Sequence, residues 1–299
     1  MSILIDENTN VLVQGITGNE GSRAVKLMQE YGTKVLAGVT PGKGGQLVEG
    51  VPVYDTVKEA LENHPEINAS IVYVPPFAAK DAVFEAAANG LNLVNCITEG
   101  VPVRDAADMV SFSRQNNSVL VGPSSIGILS PGKSRLGVIG GLKEMVGEIY
   151  RPGEIGVISK SGGMTNETAW VVRQAGLGQS TVVGIGGDII IGCAFADLLK
   201  LFENDRQTKG VVIFGELGGT YEEQIADLMK EGGFTKPLAA FIAGNFTEQM
   251  PEGMSFGHAG ALIQGEKGRP KHKMKLLKEA GAIVVGNHDE LGEAIKKAI

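Results

Sequence analysis

Short apolar runs separated by amphipathic segments succeed one another along nearly the whole chain. This alternation constrains the fold more than any other feature. Asn10 to Gln14, Lys34 to Val39, Ala69 to Val74, Leu91 to Ile97 and Val119 to Val121 read as strands. The segment ending near Tyr31, and then Val57 to Asn63, Ala78 to Asn89 and Arg104 to Asn116, read as helices. The strands are apolar almost throughout, as strands covered on both faces must be. Strand–helix alternation of this kind specifies an α/β fold, a parallel sheet with helices on both sides. The pattern breaks at Gly122-Pro123, where a stretch rich in Gly and Pro runs to Gly153. It restarts with strands Glu154 to Ser159, Thr181 to Ile185, Val211 to Phe214 and Leu238 to Ala243. Helices end near Ala175 and cover Ala194 to Glu203, Tyr221 to Glu231 and Arg269 to Ala280. The expected organisation is one doubly wound domain over 1–125, an irregular linker over 126–153 and a second doubly wound domain over 154–299. A chain of 299 residues is comfortable for two such units.

Parallel sheets place their binding loops beyond the carboxyl ends of the strands, and this chain fills those positions with glycine. Its 43 glycines are about twice average usage. The first strand runs into Gly15-Ile-Thr-Gly18-Asn-Glu-Gly21 and then a helix, an arrangement that offers backbone N–H groups and a helix N-terminus to an anion. The spacing is G-x-x-G-x-x-G, not the dinucleotide G-x-G-x-x-G. The second strand ends not in the acidic residue that grips an NAD ribose but in Thr40-Pro-Gly-Lys43-Gly-Gly45, which disfavours a dehydrogenase. A glycine loop carrying one Lys suits a nucleotide phosphate; the alternative is a flexible hairpin. The later strand-end loops, Val74-Pro75-Pro76 and Cys96-Ile97-Thr98-Glu99-Gly100, are expected on the same edge, as contacts to an adenine nucleotide and its attached arm.

In the second half the strand ends carry Ser161-Gly162-Gly163, Gly187-Asp188, Glu216 in a Gly-Glu-Leu-Gly-Gly turn, and Phe256-Gly257-His258-Ala259-Gly260. All should meet on one edge. His258 among small residues has open ring nitrogens. With Glu216 orienting one nitrogen, the other is free as a nucleophile. Ser161 and the amides of Gly162 and Gly163 could hold a phosphoryl group beside it. The alternatives are a structural loop His and a carboxylate placed at a helix N-terminus. His64, His272 in the run Lys271-His272-Lys273, and His288 are read as surface residues. No metal site is expected, since two cysteines, Cys96 and Cys193, cannot make a Cys-based zinc site or a disulfide framework. A net charge of −7 gives no argument for nucleic acid or an anionic membrane. The absence of an apolar run near the ~18 residues of a membrane helix, and of a signal-like start, gives a cytoplasmic expectation.

Taken together, Gln14-Gly-Ile-Thr-Gly18, Thr40-Pro-Gly-Lys-Gly-Gly45, Ile97-Thr-Glu-Gly100, Gly184-Ile-Gly-Gly-Asp188, Gly215-Glu-Leu-Gly-Gly219 and Gly257-His-Ala-Gly-Ala261 make the chain resemble the α subunit of succinyl-CoA synthetase over essentially its whole length. The resemblance implies a Rossmann-like CoA-binding domain followed by a flavodoxin-like ligase domain. It implies phosphorylation of His258 by a nucleotide, with Glu216 as its carboxylate partner, and transfer through an acyl phosphate to a CoA thioester. It places coenzyme A near Thr17, Gly18, Asn19, Glu20, Lys43, Pro75, Ile97, Thr98 and Glu99. Gly127-Ile-Leu-Ser-Pro-Gly132-Lys133-Ser134 spells G-x-x-x-x-G-K-[ST], but inside the irregular Gly- and Pro-rich stretch, without the strand–loop–helix setting a P-loop needs. The resemblance instead implies Mg-ATP or GTP on an ATP-grasp β subunit in a hetero-oligomer.

Two stretches depart from the succinate pattern. Where succinyl-CoA synthetases read S-R-S-G-T-L-T-Y-E, this chain reads Ser159-Lys-Ser-Gly-Gly-Met-Thr-Asn-Glu167, so Asn166 replaces a Tyr associated with the acid site. The usual G-P-N-C-P-G reads Gly122-Pro-Ser-Ser-Ile-Gly127. Ser161 to Glu167, Gly140 to Gly153 and Phe256 resemble instead the citryl-CoA synthetase part of ATP-citrate lyase. Loss of a Tyr ring and gain of Gly163 would enlarge the pocket and expose amides, as a hydroxylated tricarboxylate needs. Citrate is therefore the first expectation for the small carboxylic acid. Succinate or a related dicarboxylate such as malate is the second. A non-catalytic CoA-binding regulator stands last, because the His loop is intact.

Overall fold

A computed structural model describes residues 2–251, 253–254, 256–263 and 265–299. The first domain contains β1 (Asn10–Gln14), α1 (Asn19–Tyr31), β2 (Lys34–Val39), β3 (Leu47–Val48), β4 (Val51–Tyr54), α2 (Val57–Asn63), β5 (Ala69–Val72), α3 (Ala79–Ala88), β6 (Leu93–Cys96), α4 (Val103–Gln115) and β7 (Val119–Val121). Its sheet runs β3-β4-β2-β1-β5-β6-β7 and is parallel except where β3 pairs antiparallel with β4. From β4 onward this is the dinucleotide-fold order, with its switch point between β1 and β5. The loops after β1 and β2 meet there. Gly15 N donates to Val39 O (2.8 Å), and Thr17 and Thr40 hydroxyls lie 3.2 Å apart. The third glycine of the turn has a packing reason: a Cβ on Gly21 would strike the Gly15 carbonyl.

The chain continues with β8 (Gly127–Ser130), β9 (Ser134–Gly137), α5 (Lys143–Ile149), β10 (Pro152–Ser159), α6 (Gly162–Gln174), β11 (Gln179–Gly184), α7 (Phe195–Asn204), β12 (Gly210–Glu216), α8 (Tyr221–Lys230), β13 (Leu238–Ala243), α9 (Pro270–Glu279), β14 (Ile283–Val284) and α10 (Leu291–Lys296). The second sheet runs β14-β13-β12-β10-β11-β8-β9. Its parallel part has the flavodoxin-like order, with the switch point between β10 and β12. Residues 126–153, expected as an irregular linker, instead hold an antiparallel hairpin on the edge of this sheet and a short helix. The signal was weak because each strand has only four residues and the turn between them is Pro131-Gly132. The hairpin also braces the first domain, since Thr33 Oγ1 donates to Arg135 O (2.8 Å) and accepts from Arg135 N (2.9 Å). Ser125 joins the sheets: its hydroxyl accepts from Asn95 Nδ2 in β6 (2.8 Å) and donates to Gly184 O at the end of β11 (2.6 Å).

Two sequence expectations fail. His288 is not a surface residue. Its Nε2 lies 3.0 Å from Thr168 Oγ1, and its ring packs edge-on against Phe214 and Phe241. Lys273, read as part of a solvated run, is fully buried. On α9 the buried positions are Pro270, Lys273 and Leu277, one stripe at helical spacing that includes 273. Lys273 Nζ reaches Glu222 Oε2 (2.6 Å), Glu223 Oε2 (2.9 Å) and Gly219 O (3.0 Å). Burial disfavours the ammonium, but the two carboxylates overcome this and hold it above the ordinary Lys range. Lys273→Met should lower stability by about 3–5 kcal/mol, because Glu222 would be left buried without this cation. Denaturant unfolding of the two proteins measures it.

Candidate active site

β12 ends in Glu216, and this is the residue around which the site is built. β12 is buried along its whole length and Glu216 is 7% exposed, so the carboxylate leaves the sheet edge with little water around it. His258 Nδ1 lies 2.9 Å from Glu216 Oε2 and 3.1 Å from Oε1. A carboxylate only accepts, so Nδ1 carries the proton and donates. In the neutral ring the lone pair is then on Nε2. The imidazole is 37% exposed, open on the side away from Glu216. The hydrogen bond to Glu216 raises the pKa of His258 above the ordinary imidazole value. Burial and the nearby Lys160 oppose the rise, and Glu99 adds to it.

The loop holding this ring is fixed by backbone. Gly260 N donates to Gly187 O (2.9 Å), Ala261 N to His258 O (3.0 Å) and His258 N to Phe256 O (2.9 Å). Gly187, beyond β11, forms a wall of the ring site: a Cβ there would sit 2.5–2.8 Å from the imidazole atoms. Glycine at 187 is what lets the ring lie against the sheet edge.

Beyond β10, across the switch point, stand Lys160 and the Ser161 turn. Ser161 caps α6, its hydroxyl accepting from Met164 N, and Gly162 and Gly163 form the first turn. Gly163 is exposed, with open space where a side chain would be, so its amide edge is accessible. Asn166 stands one turn on, where loss of a Tyr ring was expected to enlarge the pocket. Its Oδ1 accepts from the Tyr150 hydroxyl (2.6 Å) and from Gly140 N (3.0 Å). Tyr150 thus brings a phenol against the position where the Tyr is missing, and Asn166 has its amide N–H groups left to offer.

In the first domain Thr17, Gly18 and Pro75 line one cavity of about 490 Å³ at the β1/β5 switch point. Gln14, Gly15, Thr40 and Pro41 complete its upper wall. Ala78, Asp81, Ala82 and Glu85 form its α3 side. Asn19 and Glu20 lie exposed on the first turn of α1 and Lys43 exposed on the next loop, outside that lining. Ile97, Thr98 and Glu99 lead from β6 toward the second domain. Thr98 Oγ1 donates to Val74 O (2.7 Å), Ser124 N to Thr98 O (3.0 Å), and Glu99 acts electrostatically on both His258 and Asp188. The sequence reading placed Gly187 on this edge but missed Lys160, Glu222 and Lys273, which lie behind Glu216, and Tyr150. Only Lys273 left a readable signal, the buried stripe of α9.

Comparison with known proteins places this arrangement. The CoA binding domain model matches residues 6–100 and the CoA-ligase model residues 158–283. The ADP-forming succinate–CoA ligase subunit alpha 2 of Archaeoglobus fulgidus is 47% identical over 100% of both chains. The chain belongs to the succinate–CoA ligase α-subunit family. The family also includes acids other than succinate: the ADP-forming sulfoacetate–CoA ligase subunit SqwL of Acholeplasma sp. is 43% identical over 99% of this chain and 98% of its own. The ATP citrate lyase of Methanothrix soehngenii, solved with citrate and coenzyme A, superposes with a TM-score of 0.92 at 30% identity, covering 99% of this chain and 50% of that one. As in the family, a CoA-binding domain precedes an acid–CoA ligase domain. No helix among the described residues is long and apolar enough to cross a membrane.

Proposed function

We propose that this chain is the phosphoryl-carrying α-type subunit of an ADP-forming acid–CoA ligase, with His258 as the carrier. The observation that supports this most is the His258–Glu216 hydrogen bond, which fixes the tautomer that leaves Nε2 free at an exposed edge. In the first step the Nε2 lone pair attacks the γ-phosphorus of a nucleoside triphosphate. The N–P bond forms, the P–O bond to the diphosphate breaks, and the proton stays on Nδ1, hydrogen-bonded to Glu216. In the second step a substrate carboxylate oxygen takes the phosphoryl group, the N–P bond breaks and an acyl phosphate results. In the third step the CoA sulfur, as thiolate, attacks the acyl carbon and inorganic phosphate leaves. The Ser161 hydroxyl, the Gly162 and Gly163 amides and the α6 N-terminus provide donors for phosphoryl and carboxylate oxygens. Thr17, Gly18 and Pro75, with Asn19, Glu20 and Lys43 at the rim, would hold the nucleotide end of CoA. Ile97 to Glu99 would lead its arm toward His258. The nucleotide is delivered by an ATP-grasp β subunit, as the α-subunit names of the relatives suggest.

For the acid, whole-chain identity leans only slightly to succinate, since succinate and sulfoacetate ligase subunits stand at 47% and 43%. Local residues must carry the choice. The open space at Gly163, the amide N–H groups left on Asn166 and the superposition on citrate-bound ATP citrate lyase support citrate. The 47% identity supports succinate as the second reading. With the reconstituted complex, CoA-dependent release of ADP should be fastest with citrate. A preference for succinate, malate or sulfoacetate would reject the first reading while leaving the histidine chemistry intact.

A further inference from the structure

We propose that Lys160 is a positioning residue: buried behind the site, its ammonium holds the Glu216 carboxylate aimed at His258 Nδ1 and offsets the negative charge around the ring, and it is itself held by Glu222, which Lys273 anchors. The inference rests on the reading of His258 as phosphoryl carrier. Lys160 Nζ lies 3.7 Å from Glu216 Oε1, 3.6 Å from Glu222 Oε1 and 5.9 Å from the Tyr221 ring centre. Its side chain is 1% exposed, so it does not reach a ligand. Its backbone N donates to Phe214 O (3.2 Å), which fixes it beside β12 at the switch point. Glu222, fully buried, ties the array together: Oε1 accepts from Glu216 N (3.2 Å) and Oε2 from Lys273 Nζ (2.6 Å). Burial works against the Glu222 carboxylate, yet Lys160 and Lys273 hold it below the usual carboxylate range.

The charges explain why a cation is needed here. Behind the ring sit Glu216 at the end of β12, Glu222 and Glu223 on α8, Lys273 on α9 and Lys160 after β10. Asp188 after β11 and Glu99 after β6 face the ring from the other strand ends. The buried array carries one negative charge in excess. As Nε2 gives its lone pair to phosphorus the ring becomes imidazolium-like, and that excess charge stabilises it. Without Lys160 the excess doubles. The ring then holds a proton on Nε2 instead of reacting, and the Glu216 side chain, 9% exposed, loses the cation that fixes its position.

The test compares Lys160→Met and Lys160→Arg in the complex with the nucleotide-binding partner, following phosphoryl transfer from γ-labelled ATP to His258 across pH. Lys160→Met should slow labelling by about ten- to hundredfold at neutral pH, the range by which losing the partner behind a metal-binding His lowers activity. The acidic limb of its pH–rate profile should move to higher pH, and the ATP concentration for half-maximal rate should not change. Lys160→Arg should restore both rate and limb. If Lys160→Met folds poorly, Lys160→Met with Glu222→Gln restores the single excess charge; labelling should stay slow because Glu216 has lost its positioning cation, while the limb returns toward its wild-type position. A wild-type rate in either folded variant, or an unmoved limb in Lys160→Met, would overturn the proposal. Absence of label on wild-type His258 would reject the carrier reading itself, and this proposal with it, a result distinct from an unmoved limb.

Discussion

In the complex with its nucleotide-binding partner, His258→Asn should take up no phosphoryl group and form no acyl-CoA, a loss of at least about 10⁴-fold. The substitution isolates the chemistry from the fold. An Asn amide can still donate to Glu216, so the buried carboxylate keeps a partner. The ring it replaces is 37% exposed and fills no core space. What disappears is Nε2, the one lone pair at this edge held free by a hydrogen bond on the opposite side of its ring. Labelling, ADP release and thermal unfolding of the two complexes read the three consequences. The melting point should stay within a few degrees while both chemical signals vanish.

Glu216→Gln should be the next most damaging change, and its pH dependence separates two effects. In the wild type the hydrogen bond to Glu216 raises the His258 pKa, burial and Lys160 oppose this, and the net direction is upward. The nucleophile is the neutral ring, so wild-type labelling should fall away as pH drops through a value above 6.5. Gln has no charge to hold the imidazolium, so the acidic limb should move to lower pH. On the plateau above both acidic limbs the ring is neutral in both proteins, and the remaining deficit measures lost orientation and lost charge stabilisation in the transition state. Since Gln can also donate to Nδ1 and so present the wrong tautomer, that deficit should reach about 10³–10⁴-fold, as for other oriented His bases. A pH–rate series on both proteins gives limb and plateau in one experiment.

Much of the architecture was legible because its signal is local. β1, β2, β7 and β13 are short uninterrupted apolar runs, and their bounds could be read to the residue. The placement of Glu216 and His258 on one edge follows from parallel topology, which puts successive strand ends on the same side. The hairpin β8–β9 was not legible, being two four-residue strands around Pro131-Gly132 inside a glycine-rich stretch. Nor was the array of Lys160, Glu222 and Lys273 behind the site. Charged residues are rarely fully buried, so sequence reasoning sends them to solvent. Here three segments far apart in sequence bury them against one another, a long-range pairing that no window of residues displays. Asn166 illustrates the same limit. Its type suggested an emptied pocket, but its carbonyl oxygen is taken by Tyr150 and Gly140, residues whose approach depends on α5.

The most direct measurement is the chemistry of the phosphoryl enzyme formed when the wild-type complex meets nucleotide radiolabelled at the γ-phosphate, with carboxylic substrate and CoA withheld. The label should sit on this chain, in the peptide carrying His258, and should be stable in base and lost in acid, as a phosphorus–nitrogen bond requires. Label that survives acid, or that maps to a serine or carboxylate elsewhere in the chain, would contradict the account.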